Sequence, residues 1–188
     1  MSNSKNNVLS RQLHGKFGNQ VVFRTRNGKS VTANVPDVSN VKAGATQIAI
    51  RDKFKIATLW AKNELMDPVQ LAAYRAIAKN GKTAFVAAVT DFLNPPKIAE
   101  INHSDYAGHI GDQIVILASD ELKITKMQLK ITDQSGAVLE QGPCQSEGLN
   151  ISWKYTATVE VPSLTGATIT AIAKDNPGHS GQSSVTLE

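Results

Sequence analysis

Two histidines and a carboxylate lie close together in the sequence, at His103, Asp105 and His109. Imidazole and carboxylate groups are ligands that Zn²⁺ accepts. The same segment has the composition of a turn between strands, where polar side chains are expected without any ligand. We therefore favour a solvated loop and predict no metal-binding residues.

Several acidic residues of the second half fall near predicted turns, and gathered at one end of a sandwich they would offer clustered oxygen ligands for Ca²⁺. These residues are Asp120, Glu121, Asp133, Asp175 and the neighbouring Asn176. No loop with the EF-hand pattern is present, and Asp and Asn are ordinary turn residues. The calcium hypothesis stays open, and no cofactor is predicted.

Two further groups have the chemistry of a nucleophile. Ser180 lies in the segment 178–181, which lacks the Gly-x-Ser-x-Gly spacing of a nucleophile elbow. Cys144, the only cysteine, has no histidine nearby in the sequence to lower its pKa. No Walker or Rossmann motif occurs either. The sequence therefore predicts that the protein is not an enzyme and has no catalytic residues.

The charge of the chain changes sign part-way along. Residues 1–97 contain fifteen Lys and Arg against five Asp and Glu, whereas residues 98–188 contain five against eleven. The change falls at Asn94-Pro95-Pro96-Lys97, and proline ends helices and stiffens linkers. We predict a basic domain over 1–94, a proline linker over 95–97 and an acidic domain over 98–188.

The start of the chain has the pattern of a β-hairpin. Two β-prone runs, 20–26 and 30–35, flank Asn27-Gly28, the dipeptide that favours a tight hairpin turn. A two-residue loop pairs Val22 with Ala33, Arg24 with Val31 and Arg26 with Lys29.

This pairing gives the hairpin apolar residues on both faces. One face carries Val22, Val31, Ala33 and Val35, and the other carries Val21 and Phe23. An isolated hairpin is marginal in water, so a partner must cover it.

Helical patterns follow the hairpin. Ile50, Phe54, Ala57, Ala61 and Leu65 recur at the spacing of one helix face. Asp67 has the chemistry of an N-cap, followed by Pro68 at the first helical position. Thr83 precedes a third apolar run that stops before Pro95. The predicted first domain is therefore α+β, with a hairpin and two or three short helices.

The second half has seven short β-prone runs separated by turn clusters, a pattern typical of an immunoglobulin-like sandwich. Its clearest strand alternates Ile151, Trp153, Tyr155 and Ala157 against polar residues, which predicts one buried face. The single cysteine excludes an intrachain disulfide. We predict an all-β immunoglobulin-like sandwich over 98–188.

Several short motifs occur in a familiar order: Gly15–Phe23, the turn at Asn27-Gly28, the basic helix at 51–54 and the run 67–74. Together with Trp153-Lys154-Tyr155 and a late turn at 175–178, they resemble small uncharacterised proteins of Bacteroidota and their phages or prophages. This resemblance implies a non-enzymatic, particle-associated structural role. It transfers no functional residue.

We expect a structural or adaptor protein that self-assembles as a homo-oligomer or docks on another structural protein of a larger particle, with the immunoglobulin-like domain as spacer or contact module. The predicted assembly interface consists of Val21, Val22, Phe23, Val31, Ala33 and Val35. Arg24, Arg26 and Lys29 form the predicted basic contact. The alternative is a small nucleic-acid-binding protein that uses the basic half, since arginine binds phosphate in a bidentate manner.

The sequence also gives an expectation for localisation. The polar segment 1–7 is not followed by the apolar run of a secretory signal, and no run is long enough for a membrane span. We expect synthesis in the cytoplasm without membrane insertion. Incorporation into a virion or another extracellular particle is compatible with this.

Overall fold

A computed structural model describes residues 14–26, 29–37, 42–148 and 150–187. Residue contacts divide the chain into two compact units, Met1–Ala45 and Thr46–Glu188. The boundary falls at the start of the first helix.

The first unit contains a three-stranded antiparallel sheet in the order β1-β2-β3. Its strands are β1 (Gly15–Phe17), β2 (Val21–Arg26) and β3 (Lys29–Asn34). Strands β2 and β3 form the predicted hairpin, whereas β1 was not predicted. The turn residues Asn27 and Gly28 lie outside the described residues.

The register of the hairpin is the predicted one. Val22 lies opposite Ala33, Arg24 opposite Val31, and Arg26 opposite Lys29. This pairing confirms that a two-residue connection sets which side chains share a face.

Three helices open the second unit: α1 (Ala45–Glu64), α2 (Pro68–Ile77) and α3 (Ala84–Leu93). Two of them begin at the predicted caps. The Asp67 carboxylate accepts a hydrogen bond from the backbone N–H of Val69 at 2.9 Å, and the Thr83 hydroxyl accepts one from Val86 at 3.3 Å. These bonds satisfy backbone donors that a helix start leaves unpaired.

The helices share a small core. Ala57 and Ala61 of α1 are fully buried against Tyr74 of α2 and against small residues of α3. The Trp60 ring packs edge-on to Tyr74, with ring centroids 6.4 Å apart. Small side chains let the helices approach closely, so few large residues are enclosed.

Two four-stranded antiparallel sheets complete the second unit, in the orders β4-β5-β9-β8 and β11-β10-β6-β7. The strands are β4 (Lys97–Asn102), β5 (Gln113–Ser119), β6 (Lys126–Thr132), β7 (Val138–Pro143), β8 (Gln145–Glu147), β9 (Ser152–Thr156), β10 (Thr168–Lys174) and β11 (Ser180–Thr186). Their inward residues, including Ile116, Leu129, Ile169 and Trp153, form one buried cluster. The arrangement is sandwich-like, so the coarse prediction of an α+β region followed by a β-sandwich is confirmed.

The helices pack on the sandwich within this unit. The Asp91 carboxylate on α3 accepts a hydrogen bond from the backbone N–H of Leu122 at 3.2 Å. The ring of Phe92 meets the ring of His179 edge-on, with centroids 4.7 Å apart. The segment 95–97, predicted as a linker between domains, therefore lies inside the second unit rather than at its edge.

Glycine makes the contact between this segment and the sandwich possible. Gly181 on β11 lies so close to the carbonyl group of Pro96 that a Cβ atom at this position would overlap the carbonyl oxygen. Any larger residue must push β11 away from the segment before β4.

Candidate functional site

The N-terminal sheet carries apolar side chains on both faces. Val22, Val31 and Ala33 share one face, and Val21 and Phe23 share the other. Val35 follows β3, where its backbone N–H donates to the carbonyl of Gln20 at 3.2 Å. These six residues are the predicted assembly interface.

A seventh apolar residue belongs to the second face. Phe17 on β1 lies opposite Val21 and is 75% exposed. Sequence reasoning missed it because a three-residue strand is too short to show an alternating pattern.

Across 14–24 and 31–37, every described side chain is half-buried or exposed. A sheet of three strands gains independent stability by covering an apolar face with a helix or another layer. The described part of this sheet thus offers apolar surface without a core, which suits a docking element.

The predicted basic contact lies on the same hairpin. Arg24 is exposed and shares the face of Val22 and Val31. Arg26 and Lys29 form the last described pair of the register. The side chains of Arg26 and Lys29 lie outside the described residues, so their role as a phosphate contact stays a prediction.

Helix α1 also carries exposed apolar side chains. Of the predicted stripe, Ala57 and Ala61 are buried, whereas Ile50 and Phe54 are 64% and 52% exposed. All residues from 45 to 56 are exposed. The stripe therefore extends about two helical turns beyond the part that the other helices cover.

A buried polar cluster holds the helices to the sandwich. Asp91 is fully buried and its Oδ2 accepts a hydrogen bond of 2.6 Å from the Tyr74 hydroxyl. Asn176 donates to Glu64 at 2.9 Å and also to the Tyr74 oxygen at 3.4 Å. Burial raises the pKa of Asp91, although its hydrogen bonds oppose the shift.

Asp120 lies beside this cluster at the rim of a cavity of about 300 Å³. The cavity is lined by Asn94, Pro95, Lys97, Ser119, Asp120 and Glu121. Both carboxyl oxygens of Asp120 are buried and make no hydrogen bond of normal geometry with the described residues. Burial first, and then the charge of Asp91, raise the pKa of Asp120 to about 7.

The predicted gathering of acidic residues is therefore found only in part. Asp120 and Asp175 act on each other electrostatically, joined by Asp91 from α3. Asp133 instead accepts hydrogen bonds from Ser135 and Ala137 within its own turn. In the described ranges, no group of three or more His, Cys, Asp or Glu residues is arranged to hold a metal ion.

Of the candidate zinc ligands, His109 pairs with a carboxylate outside the candidate set. The Nδ1 atom of His109 lies 2.7 Å from Oε1 of Glu160, and this hydrogen bond raises the pKa of His109. Asp112 accepts backbone hydrogen bonds from Ala107 and His109, closing the turn. These contacts are those of an exposed, internally bonded loop.

The structure places the two candidate nucleophiles in different parts of the sandwich. Cys144 is buried, and desolvation raises the pKa of its thiol to about 12, so the reactive thiolate is not formed at neutral pH. Ser180 begins β11, and the preceding His179 donates its backbone N–H to Asp175 at 2.6 Å.

Comparisons with known proteins assign no family to the chain. No family model and no curated protein matches it. Among solved structures, CopC from Methylosinus trichosporium OB3b aligns at 9% identity with a TM-score of 0.36, covering 47% of this chain and 87% of that chain. An engineered protein aligns at 15% identity with a TM-score of 0.37, covering 48% of this chain and 19% of that chain.

A tetra-tandem repeat from the extending region of a large adhesion protein aligns at 16% identity with a TM-score of 0.32. The alignment covers 50% of this chain and 23% of that chain. These alignments give the chain neither a fold family nor a function. Within the described residues, no helix is long and apolar enough to cross a membrane.

Proposed function

We propose that this protein is a non-enzymatic structural or adaptor protein. In this proposal its N-terminal sheet and helix α1 mount it on further copies of itself or on another structural protein of a particle. The observation that carries the proposal is the N-terminal sheet, which bears apolar residues on both faces and has no buried side chain among those described. Surfaces of this kind mark protein interaction sites.

The proposal includes an immunoglobulin-like identity for the sandwich, as a spacer or contact module. Two features support it: the antiparallel order β4-β5-β9-β8 facing β11-β10-β6-β7, and the buried Trp153 in the shared core. Immunoglobulin-type sandwiches divide consecutive strands between two sheets in a similar way. The sandwich has a buried core of its own, which suits a rigid contact module.

The charge distribution supports assembly between copies. The basic first half and the acidic second half attract each other when they belong to different molecules. Such attraction between exposed groups is screened by salt.

Sedimentation velocity at several salt concentrations tests this function. We expect a homo-oligomer at low salt that dissociates progressively as salt rises. A strictly monomeric protein at every salt and protein concentration contradicts self-assembly. In a second experiment, duplex DNA or single-stranded RNA is added to the protein. If the monomer then sediments together with the nucleic acid, tightly and in a salt-sensitive manner, the nucleic-acid-binding alternative is favoured.

A further inference from the structure

Helix α1 has a second exposed strip on the face opposite Ala57 and Ala61. Ile48 and Leu59 lie at its two ends and are 49% and 62% exposed. Asp52 and Lys55 lie between them, so the strip follows the spacing 4, 3, 4. This spacing places the four residues in one seam along a helix, as at the a and d positions of a coiled coil.

The centre of the seam is polar. The Nζ atom of Lys55 lies 3.2 Å from Oδ1 of Asp52, and both side chains are exposed. An exposed ion pair of this kind stabilises its own helix only slightly. It does, however, give the seam a direction, with an acid nearer one apolar end and a base nearer the other.

The order apolar, acid, base, apolar along the seam matches the same order on a second copy when the two helices run antiparallel. With the two-fold axis between residues 53 and 54, Ile48 lies opposite Leu59 of the second copy, and Asp52 lies opposite Lys55. Each copy thus supplies one acid and one base to two identical ion pairs, as an isologous contact requires. In a parallel pair, Asp52 would face Asp52 and Lys55 would face Lys55, so like charges oppose that alternative.

We propose that a second copy of this chain docks antiparallel on α1 through Ile48, Asp52, Lys55 and Leu59. The apolar ends bury each other, and the central charges fix direction and register, as polar seam residues do in coiled coils. Ile56, also exposed, borders the seam and adds apolar surface to it. This proposal rests on the proposed self-assembly and names a contact on α1 that contributes to it in addition to the N-terminal sheet.

Charge exchange at the centre tests the contact without changing its apolar ends. Asp52→Lys gives a seam with two bases, and Lys55→Asp gives a seam with two acids. Each variant alone should self-associate at least about 10-fold more weakly, because like charges then face each other across the contact. An equimolar mixture should associate to within about threefold of the original protein, since acids again face bases in the heterodimer.

The mixture separates the contact from an effect on the helix itself. Neither variant regains the Asp52–Lys55 pair within its own helix, so recovery on mixing requires the second copy. Asp105→Lys and Lys123→Asp make the same charge changes at exposed positions outside α1, so they report the effect of net charge alone and should change association much less than the seam variants do. Helical content and melting temperature are measured for all variants.

Three outcomes overturn the proposal. If the original protein self-associates and both single variants do so equally well, another surface carries the assembly, and only the seam is excluded. If the single variants weaken but their mixture does not recover, the effect lies within one helix. If the original protein is monomeric at all concentrations, both the seam and the proposed self-assembly fail.

Discussion

The hydroxyl group of Tyr74 on α2 donates a 2.6 Å hydrogen bond to Oδ2 of Asp91 on α3, and neither residue has exposed surface. The other oxygen of Asp91 accepts from the backbone of Leu122, which precedes β6. One buried carboxylate therefore joins two helices and the sandwich. A buried carboxyl group that is hydrogen-bonded on both oxygens is costly to disrupt.

Asp91→Ala should destabilise the protein by about 2–4 kcal/mol, because the Tyr74 hydroxyl and the Leu122 N–H both lose their acceptor. Asp91→Asn, which keeps an acceptor oxygen, should cost less. The free energy of unfolding from urea titration measures both effects. A loss below about 0.5 kcal/mol for Asp91→Ala would show that the cluster does not hold the two layers together.

The pH dependence of stability should reflect Asp120. Its pKa is raised from the usual 3.8 to about 7, first by burial and then by Asp91, with Asp175 adding to the effect. The folded protein therefore binds this proton more tightly than the unfolded chain does. Between about pH 4 and 7 the unfolding free energy should fall as pH rises, by roughly 1 kcal/mol after allowance for solvent screening.

Two other carboxylates, Asp112 and Asp133, change the unfolding free energy in the opposite direction, and they do so at lower pH. Backbone hydrogen bonds lower the pKa of Asp112, and the hydrogen bond from the Ser135 hydroxyl, followed by that from the Ala137 backbone N–H, lowers the pKa of Asp133. The stability that these two groups contribute is therefore lost as the solution becomes strongly acidic. Asp120→Asn removes one titrating group and should reduce the fall of the unfolding free energy above about pH 4, while Asp91, whose pKa is also raised, keeps part of that fall. An unchanged slope in that variant would assign the pH dependence to other groups.

The close approach of Pro96 to Gly181 predicts that replacing this glycine with alanine lowers the stability of the protein, although such a replacement often raises it. Gly→Ala at an unstrained position ordinarily stabilises by about 0.4–1 kcal/mol through the unfolded state. At Gly181 the added Cβ would overlap the Pro96 carbonyl oxygen, so Gly181→Ala should instead destabilise by about 1–3 kcal/mol.

Gly44→Ala is the matched control, because nothing lies within 4 Å of a Cβ atom at that position. Thermal or urea unfolding of the two variants gives the comparison. Equal stability of Gly181→Ala and the original protein would mean that the segment before β4 does not press on β11.

Local rules predicted local features of this fold. The hairpin register followed from Asn27-Gly28, and the helix starts at Asp67 and Thr83 followed from capping chemistry. Trp153 points into the core as its alternating strand predicted, whereas the predicted burial of Ile151 is wrong: this residue lies before β9 and is 55% exposed. An alternating pattern identifies a face and does not show where pairing ends.

Features that depend on distant residues were not predictable. Ile50 and Phe54 follow the same helical period as Ala57 and Ala61, yet only the two alanines are buried. The period identifies one face of the helix, but it does not show how much of that face the partner helices cover. Likewise, nothing in the sequence near Asp91 indicates a hydrogen bond to Leu122. The polar cluster between helices and sandwich, and with it the position of 95–97 inside one unit, required the structure.

Substitutions on the N-terminal hairpin separate assembly from nucleic-acid binding. The triple change Arg24→Ser, Arg26→Ser and Lys29→Ser removes three positive charges and leaves the valines of the same face in place. If apolar and backbone contacts carry assembly, this variant should still form the oligomer, only more slowly through loss of electrostatic steering. Stopped-flow light scattering and sedimentation measure the rate and the extent.

The complementary variant places charge on the apolar face. Val22→Asp with Val31→Asp should weaken assembly more than the triple serine change does, because docking would bury two carboxylates without partners. Circular dichroism of each variant verifies that the second unit, which has its own core, remains folded.

The contradicting outcome concerns the triple serine variant. If it assembles normally but loses tight, salt-sensitive binding to DNA or RNA, the hairpin is a phosphate-binding element. The slope of log affinity against log salt should then fall by about one unit for each lost phosphate contact.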